Sequence, residues 1–146
     1  MNSSYMHTQV GTVVIAALAA SAALALGAGL FAGFQWEPVV VAALLLAMMV
    51  LFATLTVELH DNVLELRFGP GVIRKRIELA NIASCEVVRN AWIYGWGIHL
   101  TPHGWLYNVA GRSAVQIVTK EGTTFRIGTD DPDNLAQAIR RSLPSR

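Results

Sequence analysis

The pattern of apolar and polar positions divides the chain into three parts: two long apolar runs, a series of short alternating segments, and a final stripe repeating every four residues. Val10–Phe34 and Pro38–Val57 extend for 25 and 20 residues without Asp, Glu, Lys or Arg. A hydrocarbon core about 30 Å thick needs about 20 apolar residues of α-helix. Each run therefore predicts a membrane span, and the brief link from Gly33 to Pro38 predicts an antiparallel helical hairpin over residues 10–57. Residues 1–9 read as a short polar tail with no assigned function. Trp36 suits an interfacial anchor, and Pro38 suits the first turn of the second helix, where a missing N–H costs nothing.

From Leu55 the period changes to two. Val57 and Leu59 alternate with Glu58 and His60, and Leu64, Leu66 and Phe68 alternate with Glu65 and Arg67 after an Asp61-Asn62 turn. Strands with one wet face have this signature. Further alternation at Ile73–Leu79, Cys85–Arg89, Tyr94–Leu100, Trp105–Asn108, Val115–Thr119 and Phe125–Ile127 predicts an antiparallel β domain over residues 58–146. Lys75 falls on the apolar side of its strand, which predicts an edge strand. Asp131-Pro132 is an N-cap and first-turn pair for a closing helix over about residues 132–143, with Leu135, Ile139 and Leu143 as its apolar stripe.

Charge changes the picture by locating the soluble part. Only Glu37 precedes Glu58, so the remaining 89 residues carry 11 basic and 9 acidic groups. That balance lacks the basic face required for nucleic-acid binding. With one cysteine, Cys85, no internal disulfide forms, which fits a reducing compartment, and Cys85 reads as a small hydrophobe on a strand. Residues 1–9 hold no Lys or Arg, and the first run exceeds the hydrophobic region of a cleaved signal peptide, so it reads as a retained span. The basic residues Arg67, Arg74, Lys75 and Arg76 follow the second run. Positive charge marks the cytoplasmic side, so both termini are expected on the cytoplasmic side of a membrane that the chain crosses twice.

Candidate chemistry is sparse. Neither span contains an ionisable residue, which argues against an ion or proton pathway through the chain alone. His99 and His103 have no carboxylate or cysteine at ligand spacing, so no metal, cofactor or catalytic residue is assigned. Ala22, Ala25, Gly29 and Gly33 share a helix face and offer a packing stripe, and Ala43 and Ala47 have the same spacing in the second run. This stripe serves either contact within the hairpin or homo-oligomerisation. The Arg74-Lys75-Arg76 triplet is a candidate contact for anionic lipid headgroups. Tyr94, Trp96, Trp105 and Tyr107 form either a partner-binding surface or part of the core.

The order of strands followed by one amphipathic helix is common to several small β-barrels. At Tyr94-Gly95-Trp96-Gly97-Ile98, Thr101-Pro102, Gly104-Trp105-Leu106-Tyr107-Asn108 and Thr129-Asp130-Asp131-Pro132 with Leu135, the sequence resembles small bacterial membrane proteins that carry a pleckstrin-homology-like (PH-like) domain. The resemblance covers about the last 90 residues and implies a PH-like antiparallel barrel of seven or eight strands. It carries no catalytic residues to transfer. The first hairpin, Leu59-His60-Asp61-Asn62-Val63, lacks the basic residues with which eukaryotic relatives hold inositol lipids. The expectation is a non-enzymatic membrane protein whose cytoplasmic domain binds a protein partner. The alternatives are a sensor of anionic lipid or a small ligand through residues 74–76, and an accessory subunit of a transport complex.

Overall fold

A computed structural model describes residues 5–144, so the first four residues of the expected tail lie outside the described residues. The described residues form three helices and nine strands, the strands arranged in sheets of four and five.

The remainder of the expected tail is a strand. Strand β1 (Tyr5–Val10) pairs antiparallel with the strand that follows the helices, from Tyr5↔Leu59 to Val10↔Thr54. The sequence conceals it because its inward side chains, Tyr5, His7 and Gln9, are polar. They are held by partners remote in sequence: Tyr5 donates to Asp131, the His7 ring bonds Asp130, and Gln9 donates to the Ala110 carbonyl.

Helices α1 (Thr12–Phe31) and α2 (Trp36–Phe52) occupy the interval between the paired strands β1 and β2 (Thr54–His60). The helical hairpin is thus an insertion at the end of a β ribbon. Gly11 N–H donates to Ala53 C=O at 2.8 Å, carrying the ladder one step into the hairpin base. A Cβ at Gly11 would lie 2.8 Å from the Val109 carbonyl oxygen, so this junction admits no side chain.

Both apolar runs are longer than their helices. Val10 belongs to β1, and Leu55 and Val57 are the first core-facing residues of β2, 1% and 3% exposed. The helices are therefore shorter than the expected spans 10–34 and 38–57, because an apolar residue suits a core-facing strand as well as a lipid-facing helix. Helix α1, at 20 residues, is long and apolar enough to cross a membrane by length and composition. Helix α2 has 17 residues, or about 26 Å at 1.5 Å per residue.

The two helices pack on each other through Ala22, Gly29 and Ala42, which are buried. A Cβ at Gly29 would stand 3.0 Å from Pro38 Cβ. The small-residue stripe is thus used within the hairpin, with Ala25 partly buried and Gly33 in the turn at φ +78°. Ala43 and Ala47 are exposed, and α2 makes its contact through Ala42, one position earlier.

The first sheet has the order β1-β2-β3-β4, with β3 (Val63–Phe68) and β4 (Ile73–Glu78). The second contains β5 (Ile82–Arg89), β6 (Gly97–Thr101), β7 (Gly104–Asn108), β8 (Ser113–Thr119) and β9 (Thr124–Gly128), in the order β5-β8-β9-β7-β6. Strands β7 and β9 are parallel, pairing Trp105 with Phe125 and Tyr107 with Ile127. The expected seven or eight antiparallel strands are therefore nine, one pair of them parallel. The alternation beginning at Tyr94 is also shorter than expected: Trp92–Tyr94 is a single 3-10 turn and β6 starts at Gly97.

Leu55, Leu59, Leu64, Leu66 and Phe68 from the first sheet meet Val115, Ile117, Phe125 and Ile127 from the second. Helix α3 (Pro132–Ser142) packs against β5 and β8 and adds Leu135, Ala136 and Ile139 to this core. Cys85 is buried there, as expected, with Sγ 3.6 Å from the Ala136 carbonyl oxygen. Asp131 occupies the N-cap position as predicted, but its carboxylate serves Tyr5 and Asn134 rather than the helix backbone.

Gly69, in the β3–β4 turn, fits under the end of α2 at φ +50°, where a Cβ would be 2.3 Å from the Val50 carbonyl oxygen. Gly27, midway along α1, has nothing within 4 Å of such an atom. Gly69→Ala is expected to cost at least about 2 kcal/mol. Gly27→Ala is expected to be neutral or to stabilise by up to about 1 kcal/mol. Thermal denaturation of the purified full-length protein in detergent measures both, and equal midpoints for the two variants would contradict this packing.

Candidate functional site

Of the residues singled out from the sequence, Ala22, Ala25, Gly29 and Gly33 lie along the hairpin, Trp96 lines a cavity at its base, and Arg74, Lys75, Trp105 and Tyr107 line a second cavity between the sheets. Register fixes their depth. Arg67 pairs with Thr56 and Arg74 with Arg67, two residues from the start of β2, or about 7 Å below the end of the hairpin at 3.3 Å per residue. Arg76 lies two steps further down, opposite Glu65.

Strand alternation splits the basic triplet. Arg74 and Arg76 point outward from the first sheet, and Lys75 points between the two sheets. Its Nζ is 5.3 Å from the ring centroids of both Tyr107 and Phe125. Such a position over two aromatic faces is electrostatically favourable. Lys75 does lie on an edge strand, as its place in the alternation predicts, because β4 ends the four-stranded sheet.

The outward cations surround one carboxylate. Glu65 is 3% exposed, with Arg76 Nε donating to it at 2.9 Å and Arg67, Arg74 and His60 within 4.0 Å. Arg67 also donates to Glu58 at 2.7 Å. The long side chains lie over the sheet and shield Glu65 while their own charged ends reach solvent. Burial pushes the Glu65 carboxyl up, but the hydrogen bond and charge of Arg76, the His60 ring and the Arg67 charge outweigh it and hold the group below the usual carboxylate range. Arg76 and Arg67 are therefore committed within the sheet, to Glu65 and Glu58, which leaves Arg74 as the less committed of the two cations on the row nearer the hairpin.

The four aromatic candidates separate in the same way. Tyr107 is 9% exposed and belongs to the core, edge-on to Phe125. Trp105, at 45% exposed, lies beside β4 and faces a cavity shared with Lys75. Trp96, at 42%, lines an apolar crevice against the hairpin with Val14, Leu18, Met48 and Phe52. Tyr94 is half-buried and stands edge-on to His103. His99 bonds the Trp96 carbonyl through Nε2. Among the described residues, no three His, Cys, Asp or Glu side chains are grouped to hold a metal ion.

Sequence reasoning missed the most exposed aromatic side chain of the β domain. Strands β5 and β6 are opposite edges of the five-stranded sheet, so residues 90–96 must cross the sheet to connect them. Trp92 and Ile93 on this crossing are 79% and 72% exposed. The missed signal was the Asn90-Ala91 break, which ends the alternation two residues before Trp92.

In comparisons with protein-family models, curated proteins and solved structures, the chain shows no significant match.

A carboxyl held low in the folded state contributes stability above its unfolded pKa and loses it as pH falls through the folded value. Glu65 thus stabilises the sheet at neutral pH and loses that contribution on acidification below about 4.5. Glu65→Gln is expected to lower stability at neutral pH by about 1–3 kcal/mol and to flatten the acid-side decline. The smaller end of that range applies because Arg76, 66% exposed, returns to water. Denaturation of the solubilised protein across the acid range measures this, and an unchanged acid slope would contradict the role of Glu65.

Proposed function

We propose that this protein is a non-enzymatic membrane-anchored interaction module. The α1–α2 hairpin crosses a bacterial inner membrane twice and holds a PH-like domain against the cytoplasmic face, where it docks a protein partner. The observation that carries this reading is the pairing of β1 with β2 on either side of the hairpin. Because the two strands share one ladder, the chain between them returns to the side it left, and the number of crossings is even.

The character of the helices supports two crossings rather than none. Only Ala22 and Gly29 are buried in α1 and only Ala42 in α2, while Leu24, Leu30, Phe31 and Leu44 are more than 60% exposed. Helices that are apolar all round are buried or lie in lipid, and these project away from the β core. At 17 residues α2 falls at the short end of the spanning range, and Trp36, 67% exposed at its start, suits the far interface. Arg67 and Arg74 near the hairpin base favour a cytoplasmic domain. The PH-like reading draws support from two facing sheets and a C-terminal helix that packs on the second. The strand before the hairpin and the parallel β7–β9 pair are this chain's departures from a simple antiparallel barrel.

Trp92 and Ile93 supply the docking patch, since exposed large apolar groups concentrate binding energy. A photo-crosslinking residue at Trp92 in the full-length protein, expressed in its native membrane, is expected to give a discrete protein adduct. The same residue at Glu121, in the remote β8–β9 turn, is expected to give none. Equal labelling from both positions, or lipid adducts alone from Trp92, would overturn the docking assignment. Tags at the two termini are expected to report the same side, and opposite sides would overturn the hairpin topology.

A further inference from the structure

Two cavities flank β6. The first, about 290 Å³, is the apolar crevice between the hairpin base and the second sheet, lined by Val14, Leu18, Met48, Phe52, Trp96 and Ile98 among others. The second, about 400 Å³, lies in the seam between the sheets, with Phe68, Arg74, Lys75, Ile98, Trp105 and Tyr107 in its walls. Ile98 lines both, so they lie on either side of one β6 residue. The seam exists because β4 and β6 are the free edges of their sheets and neither pairs across it.

The walls differ in kind. The crevice rises beside the first two turns of α1 and the last turns of α2 and has an almost wholly apolar lining. The seam is aromatic but has Lys75 within it and Arg74 at its rim. Among the described residues no carboxylate lies within ion-pair distance of Lys75, whose charge is met only by the faces of Tyr107 and Phe125. Arg74 bonds the Gly71 carbonyl and reaches Glu65 only at 4.0 Å, with half its side chain exposed. The complement of this surface is an anion attached to an apolar chain.

We propose that the two cavities form one site for a single anionic lipid. Its acidic head rests on Lys75 and Arg74, and one acyl chain lies in the crevice against the hairpin. This inference rests on the reading of the hairpin as bilayer-embedded, which supplies the lipid and a path for it. The depth agrees: Arg74 stands about 7 Å below the hairpin end by strand rise, beside the level at which headgroups meet the hydrocarbon. An extended peptide added to the β4 or β6 edge is the competing occupant. It would find backbone partners along the free β6 edge, but on the side facing the hairpin Val14, Leu18, Met48 and Phe52 offer its remaining amides none, whereas an acyl chain needs none.

The test uses the full-length protein reconstituted in nanodiscs of equal phosphatidylglycerol and phosphatidylcholine, released into mild detergent and weighed intact by native mass spectrometry. The wild type is expected to retain one phosphatidylglycerol per chain in preference to phosphatidylcholine. Lys75→Met keeps the apolar stem and removes the charge; it is expected to reduce retention roughly tenfold, the loss of one charge-assisted contact. Arg141→Met, on an exposed position of α3, is expected to retain the lipid as the wild type does. Should Lys75→Met fail to fold, Leu18→Trp, which fills the crevice without touching Lys75, is expected to abolish retention. The proposal is overturned by a wild type that retains no lipid, or that retains both lipids equally. It is also overturned by a folded Lys75→Met with wild-type retention, by Leu18→Trp retaining lipid, or by a peptide found in the seam. Alkaline carbonate extraction separates the two readings. Protein that stays in the membrane but holds no lipid defeats this inference alone, and protein that is extracted defeats the membrane reading beneath it.

Discussion

The pairing of β1 with β2 governs the molecule because it closes the chain around the helical hairpin before the rest of the domain is built. Six residue pairs and the Gly11–Ala53 bond join the segments that enter and leave the helices. Each backbone hydrogen bond contributes only about 0.5–1.5 kcal/mol net, yet together they fix where the hairpin begins, in which direction it leaves, and that it returns. A hairpin tethered through one flexible linker would leave the β domain free to rotate. Here both helix ends are continuous with strands of one sheet, and Gly69 brings the β3–β4 turn under α2 as a further support. The polar inward side chains of β1 then join this sheet to the β7–β8 connection through Gln9 and to the start of α3 through Tyr5 and His7.

That closure gives the first sheet a defined near end and far end, and its charges follow the axis. Arg67 and Arg74 lie on the row nearer the hairpin, whereas Glu58, Glu65 and Arg76 lie on the next outward row. Glu65 is tolerable as a nearly buried carboxylate because three guanidinium groups lie over it. Removing a partner from such a group costs more than the pair contributes when intact. The same cluster explains why the triplet at 74–76 is not a uniform basic strip: Arg76 is committed to Glu65 and Lys75 faces the opposite side.

Much of this was legible in the sequence, and what was hidden has identifiable causes. The strands expected between Val57 and Ile127 form, together with the closing helix; burial alternates cleanly in β2, as the sequence pattern does, whereas β5 and β9 are strands whose burial does not alternate. Strand β1 was invisible because it turns Tyr5, His7 and Gln9 inward, and their partners, Asp131, Asp130 and the Ala110 carbonyl, lie more than 100 residues away. The helix ends were misplaced by up to five residues because Leu55 and Val57 are apolar for the sake of the β core. Within the candidate site, the odd position of Lys75 predicted an edge strand correctly. Tyr107 could not be told from a surface aromatic, since only the parallel β7–β9 pairing turns it against Phe125.

Free sheet edges are ordinarily a hazard, open to pairing with other chains. In this protein β4 and β6 are both free, and they face each other across a gap instead of joining into a closed barrel. Zipping them together would bury Lys75 without a counter-charge and press its ammonium group into Phe68, Tyr107 and Ile98. The lysine therefore blunts the edge at the seam. Because Ile98 lines both the opening and the apolar crevice beside the hairpin, a lysine without a carboxylate partner among the described residues and an unfilled apolar space lie on either side of one residue near the level where the domain meets the helices.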